Sequence, residues 1–189
     1  MFAHRLYFLE MNPIRFGTDG WRAVIAEDFT AANVRKVSHA IARYVVCAEK
    51  PAGGVVIGHD TRFGSERFAR VAAEAVAATG TPVWLASEAC PTPAVSLLVR
   101  LRNAAGGIQI TASHNPYQWN GMKYKASYGS SASPAIVAQI ENELEKCLES
   151  TAPLDNPAAG WFLNISGLIF GTLLMVVLAF VMLILISRH

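Results

Sequence analysis

The chain has 189 residues, enough for one domain of usual size with a sizeable buried core. Its formal net charge of +2 is small, and no run of lysine or arginine stands out, so the basic surface typical of nucleic-acid-binding proteins is excluded. Three cysteines, Cys47, Cys90 and Cys147, lie far apart and form no C-x-x-C pair. This spacing argues against a disulfide framework or a zinc site and indicates a reducing compartment.

The N-terminal stretch "MFAHRLYFLE" does not have the pattern of a secretory signal peptide. Its apolar part is short, Arg5 and Glu10 interrupt it, and no small-residue cleavage site follows. We expect residues 1–11 to be an N-terminal extension ahead of a domain that occupies residues 12–150.

Helical and strand patterns alternate from Thr30 onward. "TAANVRKVSHAIARYVVCAE" places Val34, Val37 and Ile41 on one helical face, with Thr30 as the N-cap. The apolar run "GGVVIGHD" is typical of a strand that is buried on both faces. Helical spacing returns in "GSERFARVAAEAVAATG", and "TPVWLA" predicts another strand.

The alternation continues in the second half of the domain. "TPAVSLLVRLRN" predicts a helix with Thr92 at the N-cap and Pro93 at the first helical position. "GGIQIT" predicts a strand, "NGMKYKAS" a short antiparallel strand, and "SPAIVAQIENELEKCLES" an amphipathic helix that Ser133 caps. Strands that alternate with helices of this length indicate a three-layer α/β/α domain with a mostly parallel mixed sheet.

The C-terminal part of the chain has a different composition. Residues 151–160 contain two prolines and small residues, and we expect a linker there. No charged residue occurs from 156 to 187, and the nearly all-apolar residues 162–186 would span roughly 37 Å as a helix, enough to cross a hydrocarbon core of about 30 Å. A buried core helix is the alternative, but such helices are seldom this long or apolar on all sides. We therefore expect a transmembrane helix at residues 161–187.

Three polar segments stand beside predicted strands or turns. "HDTRFGS" and "TASHNP" each follow a strand, and "FGTDGWR" is rich in turn residues. Ligands of open α/β sheets gather at the carboxyl ends of the strands, so we expect these segments to converge. Together they offer a hydroxyl, an imidazole and several cations, a set that suits a phosphate group or a developing phosphoryl charge. The residues of this set are Ser113, His114, Arg22, Arg62, Lys123 and Lys125.

Two common catalytic motifs are missing from the sequence. It contains no G-x-x-x-x-G-K-[ST] loop of the kind that binds nucleotide phosphates. It also contains no G-x-S-x-G turn of the kind that holds the nucleophile of α/β-hydrolases. A P-loop nucleotide-binding site is therefore not expected, and neither is an acyl-transfer hydrolase.

The motifs in combination resemble a known family. "FGTDGWR", "GHDTRFGSERFA", "PTPAVS" and "GGIQITASHNPYQWNGMKYK", in this order, resemble the first domain of the α-D-phosphohexomutases, the phosphoglucomutase/phosphomannomutase enzymes. The T-A-S-H-N-P segment followed by N-G-x-K is the most specific part. The resemblance covers about residues 12–150.

The resemblance implies roles for particular residues. Ser113 would carry the transferable phosphate and bind Mg²⁺ through it. His114 would face the phosphoryl and sugar site, Lys123 would act as general acid/base, and Arg22 would lie near the phosphoserine. Phosphate would pass from the serine to a hexose phosphate, and the resulting hexose 1,6-bisphosphate would return its other phosphate. The same resemblance implies substrate or phosphate binding for Asp60, Arg62, Asn115 and Lys125.

The sequence also departs from the family. It contains no D-G-D-x-D-R loop, which supplies the remaining metal ligands, no sugar-reading loop and no C-terminal phosphate-binding loop, so complete turnover by this chain alone is not expected. Three interpretations are open: a truncated or fused mutase domain, a membrane-anchored non-catalytic module that binds phosphosugars or a partner, and a split enzyme whose other domains act in trans. Since no signal peptide is predicted, we expect the domain to face the cytoplasm and to be anchored by a single C-terminal helix.

Overall fold

A computed structural model of the protein describes residues 14–17, 19–49, 51–149 and 162–164. The strands of this part are Trp21–Val24 (β1), Val55–His59 (β2), Val83–Leu85 (β3), Gly106–Ile110 (β4), Trp119–Ala126 (β5) and Phe162–Asn164 (β6). Its α-helices are Ala31–Ala48 (α1), Ser65–Ala77 (α2), Thr92–Leu101 (α3) and Pro134–Glu149 (α4), and a 3₁₀ turn covers Pro51–Gly53. All the strands belong to one sheet in the order β1-β5-β4-β2-β3-β6.

The sheet is mixed. β2 pairs in parallel with β3 and β4, and β3 pairs in parallel with β6. β5 runs antiparallel to both β4 and β1. The antiparallel strand was expected to be short, but β5 has eight residues and is the longest strand of the described chain. The carboxyl ends of β2 and β4 therefore meet the beginning of β5 at one edge of the sheet.

Helices cover both faces of the sheet. Val55 and Ile57 of β2 join the apolar cluster that includes buried residues of α1, α2 and α4, whereas Val56 joins the cluster that includes those of α3. This alternation follows the two-residue period of a strand. Every residue of β2 and β4 is buried, which explains why both strands were near-continuous apolar runs in the sequence.

Two of the predicted helix starts coincide with the observed ones. Thr30 Oγ1 accepts a hydrogen bond of 3.2 Å from the backbone N–H of Asn33 and caps α1. Helix α4 begins at Pro134, whose fixed φ suits the first helical position. Helix α3 differs slightly, because Thr92 is its first helical residue and Pro91 occupies the N-cap.

The fold class predicted from the sequence was wrong about the C-terminal part. The α/β/α layers are observed, but no helix within the described ranges is both long enough and apolar enough to cross a membrane. Of the predicted transmembrane helix at residues 161–187, the described portion is strand β6, which is extended because it pairs with the edge of β3. The predicted localisation, a cytoplasmic-facing domain anchored by that helix, depended on the same helix and was wrong for the same reason.

Several predicted segments lie outside the residues that the structure describes. These are the N-terminal extension at residues 1–11, the linker at residues 151–160 and the part of the predicted transmembrane helix beyond residue 164. Their predicted boundaries stay predictions.

Candidate functional site

The loop between β4 and β5 carries Ser113 at the carboxyl edge of the sheet. Ser113 has a φ of 58°, in the left-handed region that is costly for residues with a side chain. Its backbone N–H donates to Thr111 Oγ1 at 3.0 Å, and the N–H of Asn115 donates to the carbonyl of Ala112 at 3.1 Å. Ser113 and His114 are exposed. The loop thus holds a serine in a strained turn that leaves its side chain open to solvent, a feature common at functional sites.

Arg62 crosses from the loop after β2 to the Ser113 loop. Its Nη2 donates to the carbonyls of Ser113 at 2.8 Å and Asn115 at 2.7 Å. Its Nη1 donates to the carbonyls of Pro116 at 2.9 Å and Trp119 at 3.1 Å. Three carbonyls of the loop and that of the first residue of β5 therefore converge on a single guanidinium, whose planar fork of donors suits this geometry.

A buried polar chain continues behind Arg62. Asp60 Oδ2 lies 3.3 Å from Arg62 Nε, and Asp60 Oδ1 accepts from the backbone N–H of Arg62 at 2.9 Å and from Ser65 Oγ at 2.7 Å. Ser65 Oγ in turn accepts from Asn120 Nδ2 at 2.9 Å, and Asn120 Oδ1 accepts from the N–H of Gly121 at 2.8 Å. Since Ser65 and Asn120 are fully buried, this chain joins the two loops beneath the surface.

A second charged cluster lies on β5. Lys123 Nζ is 2.7 Å from Asp19 Oδ2, and Lys125 Nζ is 3.3 Å from Asp19 Oδ1. Ser131 Oγ donates to Asp19 Oδ1 at 2.8 Å and accepts from Lys125 Nζ at 2.9 Å. Burial raises the pKa of Asp19, but the hydrogen bonds from Lys123 and Ser131 and the charges of both lysines outweigh it and lower the pKa to about 2. Asp19 is therefore an ionised partner that two buried lysines share.

Arg22 approaches the Ser113 loop across Gly121. The two residues are partners in the β1–β5 register, and the N–H of Thr111 donates to the Gly121 carbonyl at 2.8 Å. A Cβ built on Gly121 would lie 2.7 Å from the Thr111 carbonyl oxygen and 2.9 Å from Arg22 Cγ. The glycine therefore lets the stem of Arg22 lie beside the strand that leads into the loop. Arg22 and Lys123 face the same side of the sheet, since Gly121 and Lys123 are two residues apart on one strand.

The predicted site residues fall into three groups. Asp60, Arg62 and Asn115 join Ser113 in one hydrogen-bonded unit. Lys123 and Lys125 form a second group, whereas the side chains of Arg22 and His114 have no hydrogen bond or ion pair with other residues of the described chain. Sequence reasoning did not assign the partners that connect these groups: Thr111, Asp19, Ser65, Asn120 and Ser131. Three of them had a signal, because Thr111, Ser65 and Asp19 stand in the polar segments "TASHNP", "HDTRFGS" and "FGTDGWR".

The described residues do not provide a metal site near Ser113. No group of three or more histidine, cysteine, aspartate or glutamate side chains in these ranges is placed to hold a metal ion. The two carboxylates of the site are already engaged, Asp60 with Arg62 and Asp19 with the two lysines. The described carboxylates therefore supply no ligands for the Mg²⁺ that the family resemblance implies, which leaves Ser113, through its phosphate, as the ligand expected in this part of the chain.

Comparison with known proteins decides the family. The family model for phosphoglucomutase/phosphomannomutase, alpha/beta/alpha domain I, matches residues 13–150. The chain belongs to the phosphoglucomutase/phosphomannomutase family. The matched region contains every described residue of the candidate site, so that site lies in the mutase family's domain I.

Individual relatives agree with this assignment. The phosphoglucosamine mutase of Gloeothece citriformis is 34% identical over 150 residues, which are 79% of this chain and 30% of the relative. That of Shewanella denitrificans is 40% identical over 139 residues, 71% of this chain and 31% of the relative. A crystal structure from Thermus thermophilus, assigned as a phosphomannomutase, has a TM-score of 0.68 at 37% identity and covers 82% of this chain and 34% of the other. The chain thus spans about a third of the length of the mutases that it matches.

Proposed function

We propose that this domain serves in phosphoryl transfer on hexose phosphates, with Ser113 as the residue that accepts and returns the phosphate. The observation that carries the proposal is the exposed Ser113 on a left-handed turn, within residues 13–150, the range that matches the family's domain I. Strain of this kind persists where the surrounding structure over-determines the backbone, as the Arg62 hydrogen bonds do here.

The charged residues on and beside β1 and β5 support the proposal of a phosphate on Ser113. Lys123, Lys125 and Asp19 together leave one positive charge on the buried cluster, and Arg22 adds a second that has no partner among the described residues. A phosphoserine carries about −1.5 to −2 charges at neutral pH, so its charge matches in magnitude the two positive charges of the lysine cluster and Arg22. Arg22 and Lys123 face the same side of the sheet, and we propose that they stabilise the charge on the transferred phosphoryl group.

The proposed step is an exchange of phosphate between two oxygens. Ser113 Oγ attacks a phosphorus atom of a hexose bisphosphate, the new Oγ–P bond forms, and the bond from phosphorus to the sugar oxygen breaks. The serine proton leaves as the sugar oxygen takes one up, so the reaction is balanced without a further reagent. We propose Lys123 as the general acid/base of this exchange and His114 and Asn115 as contacts of the substrate. Among the described residues, a phosphorylated Ser113 would be the ligand for Mg²⁺, whose charge would help to neutralise the phosphoryl oxygens.

This domain corresponds to only part of the mutases that it matches, which limits the reaction proposed for it alone. It covers 30% and 31% of two phosphoglucosamine mutases, and the parts that would read the sugar and hold its second phosphate lie outside the matched residues. We therefore propose that phosphorylation of Ser113 is the partial reaction of this domain, and that full turnover requires the other mutase domains. Hexose phosphates are the proposed substrate class.

The test measures phosphate on Ser113. The purified chain is incubated with glucose 1,6-bisphosphate or glucosamine 1,6-bisphosphate, with and without a phosphoglucosamine mutase that lacks its first domain, and phosphopeptides are mapped by mass spectrometry. Phosphate on Ser113 is expected, and Ser113→Ala should abolish it. Ser130→Ala, at an exposed serine outside the loop, is the matched control and should leave it unchanged. No phosphoserine in any arm would refute the proposal and favour a non-catalytic binding module.

A further inference from the structure

We propose that Arg62 is a positioning residue that fixes the backbone of the Ser113 loop, and that it does not bind the phosphate of the substrate. This inference rests on the proposed function for its catalytic consequence. The structural part, a guanidinium that clamps a loop, stands on the contacts of the described residues themselves.

Every N–H donor of the Arg62 guanidinium is already engaged. Both N–H groups of Nη2 and both of Nη1 are directed to carbonyls of the loop, at distances from 2.7 to 3.1 Å. The remaining donor, Nε, faces Asp60 Oδ2 at 3.3 Å. Since an arginine side chain has five N–H donors in a fixed plane, none is left to point at a phosphate without breaking a contact already made.

Arg62 is largely buried and is paired with a carboxylate. The Arg62 side chain is 16% exposed and the Asp60 side chain 25%, so the ion pair lies largely within the protein surface. Its charge is balanced by Asp60, unlike that of Arg22, which has no partner among the described residues. A cation that already has a close carboxylate adds little to the attraction for a phosphate.

Buried side chains support the Arg62–Asp60 pair from behind. Asp60 Oδ1 accepts from Ser65 Oγ, and Ser65 Oγ accepts from Asn120 Nδ2, with both of these residues fully buried. Asn120 stands on β5 and Ser65 begins α2, so the arginine is anchored to two regular elements of the sheet-and-helix framework. We infer that Ser65 and Asn120 position Asp60 and, through it, Arg62.

The contacts of Arg62 hold the strained backbone of Ser113 in place. The four carbonyls held by Arg62 belong to residues from Ser113 to Trp119, which include the residue with the left-handed backbone. Without the guanidinium, these carbonyls have no common partner and the turn can relax to a conformation of lower strain. A shift of about 1 Å in the serine hydroxyl is enough to slow a reaction by about 100-fold.

The experiment compares three variants of the full chain: Arg62→Met, Arg62→Lys and Ser65→Ala. Hydrogen–deuterium exchange is measured by mass spectrometry on peptides of the Ser113 loop and on peptides of α1. The rate of Ser113 phosphorylation is measured as a function of glucose 1,6-bisphosphate concentration. Arg70→Met is the matched control, because Arg70 is an exposed arginine of α2 that pairs with Glu66 away from the loop.

The clamp predicts faster exchange in the loop for both Arg62 variants, with α1 unchanged. It predicts a maximal phosphorylation rate lower by about 100-fold and a half-saturating bisphosphate concentration within about twofold of wild type. Arg62→Lys should resemble Arg62→Met, since an ammonium keeps the charge but cannot bridge four carbonyls. Ser65→Ala should show a smaller change of the same kind and provides the test if an Arg62 variant does not fold.

Two results would overturn the inference. One is unchanged exchange in the loop of the Arg62 variants. The other is a raised half-saturating concentration with an unchanged maximal rate, together with wild-type behaviour of Arg62→Lys, as expected for a phosphate ligand. If the wild-type chain takes up no phosphate, the proposed function fails, and the exchange measurement still decides whether Arg62 clamps the loop.

Discussion

Asp19 forms ion pairs with two lysines, through Oδ2 with Lys123 Nζ at 2.7 Å and through Oδ1 with Lys125 Nζ at 3.3 Å. The two lysine side chains are 10% and 8% exposed, whereas that of Asp19 is 34% exposed. A buried cation without a counter-charge is costly, so both lysines depend on one carboxylate. The proposed general acid/base is thus held by a residue of the segment that precedes β1.

Asp19→Asn should destabilise the domain. Removal of one partner from a fully buried ion pair costs about 3–5 kcal/mol, and the partial exposure of Asp19 reduces our expected loss to about 2 kcal/mol. The measurement is urea denaturation of both proteins followed by circular dichroism. Asp28→Asn is the matched control, because Asp28 is exposed and its side chain has no ion pair within the described part of the chain. Equal stability of the two variants would contradict the prediction.

The contribution of Asp19 should depend on pH. Its pKa of about 2 in the folded protein lies below the ordinary value of 3.8, so the stabilisation is fully present above the unfolded-state pKa and is lost as the pH falls toward the folded-state pKa. We expect the free-energy difference between wild type and Asp19→Asn to be constant near neutral pH and to shrink below about pH 4. Urea titrations at a series of pH values measure this difference. A gap that widens on acidification would argue against the assignment.

The regular part of the fold was readable from the sequence because its signals are local. The apolar runs of β2 and β4 reflect burial on both faces. Thr30 marks the start of α1 in the sequence because threonine is a common N-cap, and here it makes the capping hydrogen bond. The C-terminal part was misread for a related reason. Apolar composition predicts that a segment avoids water. It does not distinguish a membrane helix from a strand that pairs at the edge of a sheet, and the described residues 162–164 pair with β3.

The sequence predicted which loops meet at the site, but not the hydrogen bonds and ion pairs that their side chains form. Parallel strands bring their carboxyl ends together, so the loops that bear Asp60 and Ser113 had to be neighbours. The side-chain partners follow from loop conformations that no local pattern specifies. Lys125 contacts Asp19, which is 106 residues away in the chain. The Nη1 and Nη2 donors of Arg62 are directed to backbone carbonyls, which carry no sequence signal.

Gly121→Ala should destabilise the domain by overpacking. The added Cβ would lie 2.7 Å from the Thr111 carbonyl oxygen, 2.8 Å from that of Trp21 and 2.9 Å from Arg22 Cγ. Two of these atoms are backbone atoms of neighbouring strands and cannot move aside easily, so we expect a loss of about 1–3 kcal/mol. Chemical denaturation measures it. Gly17→Ala is the control, since its Cβ would meet its nearest neighbour at an ordinary 3.6 Å; similar losses in both variants would refute the steric explanation.

Ser113→Gly should be more stable than Ser113→Ala. Both substitutions remove the hydroxyl, but glycine adopts the left-handed backbone at φ 58° without the clash of a Cβ with the following carbonyl. We expect the glycine variant to be the more stable by about 1 kcal/mol, measured by urea or thermal denaturation. Ser87 provides the control pair, because it is exposed and is not among the residues with positive φ in the described ranges. There the alanine variant should equal or exceed the glycine variant, because glycine loses more conformational freedom on folding. If the two sites show the same order, the strain at Ser113 is not stored in the folded state, and its backbone must relax in solution.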